Sequence, residues 1–83
     1  MIDNQNNIGQ RIRAARKQKG INQTELANLL GKSLRTIQKY ESGEIEVSIA
    51  MINELAKVLD TTSTFLIGYE HDEKNILSLS DIM

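Results

Sequence analysis

The chain has 83 residues, with ten Lys/Arg, eleven Asp/Glu and one His, a net charge of −1, and neither cysteine nor proline. A chain of this length forms one domain with one modest core, burying roughly 60–65% of its unfolded surface. Disulfides and thiolate metal sites are excluded, and no apolar run exceeds four residues, so neither a membrane span nor a signal segment is expected. The expectation is a soluble, cytoplasmic protein that makes no membrane contact. Residues 1–7, MIDNQNN, are polar and aperiodic and read as a disordered arm. A first helix is predicted from about Ile8 to Lys19, with Ile8, Ile12, Ala15 and Lys19 at helical spacing, stopped by Gly20 in the left-handed region. Asn22 caps a second helix, Gln23 to Leu30, with Glu25 placed for a capping box. Leu26, Ala27 and Leu30 share its apolar face.

Gly31 breaks the pattern, and Ser33 caps a third helix that runs to about Glu41 and ends at Ser42-Gly43, with Ile37 and Tyr40 inward. Residues 44–47 form a loop. Ser48 caps a fourth helix reaching Leu59, with Ile52, Leu55, Ala56 and Leu59 inward. Thr62 caps a short fifth helix carrying Phe65 and Leu66. Five helices with short links and no alternating strand pattern make an all-α domain over residues 8–69. The tail, residues 70–83, is first acidic (Glu70, Asp72, Glu73) and then apolar (Ile76, Leu77, Leu79, Ile82, Met83). It reads either as a contact with another surface or as a frayed tail or linker.

The near-neutral total hides an asymmetry. Residues 1–43 carry a net +5, through Arg11, Arg13, Arg16, Lys17, Lys19, Lys32, Arg35 and Lys39, and residues 44–83 carry −6. A basic half concentrates positive potential where phosphates dock, and an acidic half turns the other side away. The alternative is an ordinary solvated helix face.

The informative stretch is Gln23–Ser42, QTELANLLGKSLRTIQKYES. Two short helices joined by a tight turn cross at ~90–120°. The crossing needs a small residue on the first of them, supplied by Ala27. The turn needs a residue tolerant of positive φ, supplied by Gly31. The second helix needs an aliphatic plug, supplied by Ile37. Arg16 shares the apolar face of Ile8 and Ile12, and Glu41 lies one turn beyond Ile37. Opposite charges on two inward faces must find each other, because an unpaired buried charge is costly.

Elsewhere no catalytic apparatus is legible. His71, set among Glu70, Asp72 and Glu73, reads as a solvated tail residue rather than a metal ligand. There is no nucleophile pair and no phosphate-cradling glycine loop. Neither an enzyme nor a cofactor is expected.

Over residues 8–69 the chain resembles the Xre/Cro–phage-repressor (Cro/C1-type) helix-turn-helix family. The residues that carry the likeness are GINQTELANLLG (20–31), TIQKYESG (36–43), SIAMINELAKVLD (48–60) and TTSTFLIGY (61–69). The family commonly has proline before the fourth helix, where this chain has Val47, which questions the rigidity of that loop. The resemblance implies a five-helix repressor-like domain whose third helix lies in the major groove of double-stranded DNA. The outward residues there are Ser33, Leu34, Arg35, Thr36 and Lys39. Arg35 either forks to guanine O6 and N7 or holds a phosphate. Leu34 either meets a thymine methyl or packs against the second helix. Thr36 and Lys39 touch base or backbone, and Lys32 and Ser33 hold phosphate. Gln23, at a helix N-terminus, is placed to anchor the backbone and brace the recognition helix. The family also has an Arg16–Glu41 type of pair, which would fix the first helix to the third and turn Arg16's remaining donors to phosphate. Glu44 and Glu46 stand where basic residues are common, so modest affinity is expected.

The expected function is a transcriptional regulator, a repressor by default, bound as a homodimer to a two-fold operator. A different class of reading keeps the fold but makes it an antitoxin or anti-repressor module whose partner is a protein. The chain is read either as a whole small regulator or as the DNA-binding part of a longer one with a further C-terminal domain.

Overall fold

The computed structural model describes residues 4–68, and side chains from residue 8 onward. Among the described residues there are five helices and no strand: α1 (Asn4–Lys19), α2 (Gln23–Leu30), α3 (Leu34–Ser42), α4 (Ile49–Val58) and α5 (Ser63–Ile67). The boundaries follow from local chemistry. Asn22, Ser33, Ser48 and Thr62 each sit in extended backbone, and each side-chain oxygen accepts the amide three residues on. Gly20, Gly31, Gly43 and Gly68 end α1, α2, α3 and α5 with positive φ. Helix α4 is different. It ends one residue before the expected Leu59, which serves as its C-cap at φ −98°, and Asp60 takes the left-handed conformation at φ 56°.

One boundary departs from expectation. Helix α1 begins at Asn4, so residues 4–7 continue the helix rather than belonging to a disordered arm. These residues contain neither proline nor glycine, and nothing local breaks the helix until Gly20. The acidic-then-apolar tail, with His71, and the last domain residue, 69, lie outside the described residues.

The core is built from one stripe of each helix. Ile12, Leu26, Ile37, Leu55 and Leu66, one from each of the five, are its fully buried large side chains. Helix α1 packs on α3 and α5, α2 packs on α3 and α4, and α4 packs on α5. Burying one such aliphatic side chain contributes roughly 1.5–3 kcal/mol. Val47 is buried with them, so the loop before α4 is tied to the core by a side chain in place of a proline ring. No helix among the described residues is long and apolar enough to cross a membrane.

Candidate nucleic-acid interface

The α2–turn–α3 unit is set by its two ends. Gly31, at φ 68°, lets its amide reach Asn28 O at 3.3 Å, and the Lys32 amide reaches Ala27 O at 2.9 Å. The orphan carbonyls of α2 are thereby satisfied inside the turn. The chain then re-enters a helix at Ser33, whose Oγ accepts the Thr36 amide at 3.1 Å and lies 3.0 Å from the Thr36 hydroxyl. Ala27 is buried at the crossing, and Ile37, at 0% exposure, plugs α3 into the core.

That seating decides what α3 shows to solvent. Leu34, Arg35, Gln38 and Ser42 are exposed and Lys39 is half-buried. Thr36 is also half-buried, and its hydroxyl already has the cap serine as partner. Arg35, Gln38, Lys39, Ser42 and Glu44 line a shallow concavity of about 330 Å³. Lys32 is exposed at the turn.

Behind this face lies a buried polar network. Arg16 Nε donates to Glu41 Oε2 at 2.6 Å and Nη2 donates to Oε1 at 3.1 Å, so the two side chains meet as paired forks. The Arg16 and Glu41 side chains are only 9% and 4% exposed. Arg16 Nη1 donates to the carbonyl of Ile21 at 3.0 Å. The guanidinium is therefore turned inward, and the expected surplus of donors for phosphate is largely used within the domain. Gln23 Nε2 donates to Glu41 Oε1 at 3.0 Å. One carboxylate of α3 thus ties together α1 and the first residue of α2.

Two contributors to this geometry escaped the sequence reading. The first is Gly9. A Cβ built there would lie 2.5 Å from Tyr40 O and 2.6 Å from Glu41 O, both backbone atoms of α3. The only available signal was a glycine inside a helical run, which points to close backbone approach without naming the partner. The second is Gln38. With Ile37 and Tyr40 inward, helical spacing already turns it outward, one turn beyond Leu34, and that signal was passed over.

The basic half is less free than its sum suggests. Arg16 is buried, Lys19 Nζ pairs with Asp60 Oδ2, and Arg11 stacks over the Phe65 ring at 5.5 Å. Arg13, Lys17, Lys32 and Arg35 remain exposed, with Lys39 beside them. Among the described residues no group of three or more His, Cys, Asp or Glu is placed to hold a metal ion.

A helix-turn-helix family model matches residues 12–66. The chain belongs to the Cro/C1-type helix-turn-helix family. Members of this family are DNA-binding transcriptional regulators rather than enzymes. The solved structure of the restriction-modification controller protein C.AhdI from Aeromonas hydrophila is similar, with a TM-score of 0.69 and 36% identity over 74% of this chain and 92% of that one. A prophage-derived HTH-type transcriptional regulator of Bacillus subtilis, YonR, is 30% identical over 64 residues, covering 77% of this chain and 59% of its own length. An HTH-type transcriptional regulatory protein of Pyrococcus furiosus is 42% identical over 52 residues, which are 63% of this chain but 16% of that protein. The chain thus spans about a sixth of the Pyrococcus relative and over half of the Bacillus one.

Proposed function

We propose that this chain is a sequence-specific DNA-binding repressor that grips a two-fold operator as a homodimer. The observation that carries this reading is the outer stripe of α3. It is exposed and cationic, and the Arg35 and Lys39 side chains form no ion pair among the described residues, while the inner side is locked by Ile37 and the Arg16–Glu41–Gln23 network. A helix held in this way presents the same side chains in the same register at each encounter, which base reading requires.

In this reading Arg35 forks to guanine, Leu34, 40% exposed, meets a thymine methyl, and Lys39 reaches base or phosphate. Lys32 and the cap residues Ser33 and Thr36 lie along the sugar–phosphate backbone. At the start of α2 the capping box uses the Asn22 and Glu25 amides, at 2.8 Å each. The Gln23 and Thr24 amides have no intrahelical partner and are available to a phosphate beside the Gln23 side chain. Ile49, 68% exposed at the start of α4, and Ile45, 36% exposed in the loop before it, provide apolar surface for a second copy. Two copies related by a two-fold would place their α3 helices ~34 Å apart. Occlusion of polymerase would then repress.

Selection of bound duplexes from random DNA tests the reading. The expected product is a two-fold sequence with half-sites about one helical turn apart. With Arg35→Ala, preference at one guanine position per half-site should vanish, at about 1–3 kcal/mol per contact. Uniform weakening across all sequences would make Arg35 a phosphate anchor. No enrichment with the unaltered chain would sink the regulator reading.

A further inference from the structure

The outward surface of α3 has two flanks of different chemistry. One carries the cations Arg35 and Lys39, one turn apart. The other carries Leu34 and Gln38, also one turn apart and both exposed. The Gln38 amide forms no hydrogen bond or ion pair with any described residue, and it lies in the concavity shared with Arg35, Lys39 and Ser42.

We propose that Gln38 is a specificity-determining residue that reads an adenine in each half-site. A carboxamide offers a donor and an acceptor side by side, and adenine N7 and N6 present the complementary pair in the major groove. The cations Arg35 and Lys39 beside it compete better for phosphate, and the side-by-side donor and acceptor of the amide find their full match on a base edge rather than on a phosphate. Leu34 on the same flank suits a thymine methyl, the group that adenine's pairing partner displays in that groove. The two flanks therefore read different pairs: Arg35 reads G·C, and Leu34 with Gln38 reads A·T. The half-site follows as a guanine beside an A·T-rich step, with Gln38 excluding cytosine and guanine at its position. The proposal rests on α3 being the reading helix.

Bound-site selection with the unaltered chain, Gln38→Ala and Gln38→Glu tests it, with folding checked by circular dichroism. The side chain is exposed, so both variants keep the core. The unaltered chain should enrich an adenine at a fixed distance from the guanine that is lost with Arg35→Ala. Gln38→Ala should erase preference at that adenine alone, with a loss on the order of tenfold for the best site. Gln38→Glu should move the preference to cytosine, whose N4 donates to a carboxylate. A Gln38→Ala site profile identical to that of the unaltered chain overturns the proposal, and so does a variant that weakens all sequences alike. Those results leave the regulator reading standing. Failure of the unaltered chain to enrich any site removes both.

Discussion

Glu41 accepts hydrogen bonds from Arg16 and Gln23 within a nearly sealed space. Removing it strands the Nε and Nη2 donors of a guanidinium that is nine-tenths buried. Breaking a buried pair from one side typically costs about 3–5 kcal/mol, far more than the pair contributes relative to apolar replacements. Glu41→Ala should therefore lower stability by ~3 kcal/mol or more, read by urea unfolding. Thermal unfolding should shift down by roughly 12 °C or more for a domain of this size. The double change Arg16→Met with Glu41→Leu should cost less than Glu41→Ala alone, since no charge is then left buried. A midpoint unchanged in Glu41→Ala would refute the pairing. This residue pair was legible in the sequence because a charge repeating in phase with Ile8 and Ile12 has few acceptable environments. The bond to Gln23 was not legible, because its partner depends on how α2 crosses α3.

The starts of α2 to α5 were each written in a capping residue, and the observed caps are the same four. The ends were written in glycine, except for α4, where an aspartate took the left-handed position that glycine usually fills. Local chemistry of this kind acts within three or four residues and is visible in a linear string. The packing of α1 on α3 is not. Gly9 and Tyr40 are 31 positions apart, and no periodicity relates them. Alanine is the better helix former at Gly9 by about 1 kcal/mol. Its methyl would nevertheless overlap two backbone oxygens of α3, which no side-chain rotation relieves. Gly9→Ala should thus destabilise by roughly 1–3 kcal/mol, the usual range for overpacking. Urea unfolding decides the sign, and a stabilised variant would show that the helices separate easily.

At the scale of the molecule, charge sets the strength of association more than its selectivity. Among the described residues Arg13, Lys17, Lys32, Arg35 and Lys39 are the cations of the basic half with neither an ion pair nor a ring contact, and Glu44 and Glu46 are exposed just beyond the end of α3. A carboxylate ~10 Å from a phosphate is repelled by about 0.4 kcal/mol in water. Summed over the nearest phosphates and reduced by screening, two carboxylates cost about 0.5–1 kcal/mol. Glu44→Gln with Glu46→Gln should therefore tighten binding two- to fivefold, by roughly the same factor for every sequence. Fluorescence anisotropy at about 50 mM and 200 mM salt checks this, and the gain should shrink at the higher salt. A gain confined to one sequence would instead make Glu44 a base contact. The sequence showed the asymmetry between halves. It also showed that Arg16 is taken up by Glu41, but it could not show that Lys19 is paired at the surface with Asp60, 41 positions away.

The close seating of Gly9 on the α3 carbonyls adds a main-chain contact to the side-chain contacts that join the two helices. Helix α3 is thus positioned from its back, in part by atoms that every amino acid carries in common. Leu34, Arg35, Gln38 and Lys39 lie away from that contact, so each is free to change without altering how the helix sits. On the proposed reading, the same scaffold would be retargeted to a new half-site by rewriting four letters, and those letters grafted onto another domain of this family should bring their preference with them.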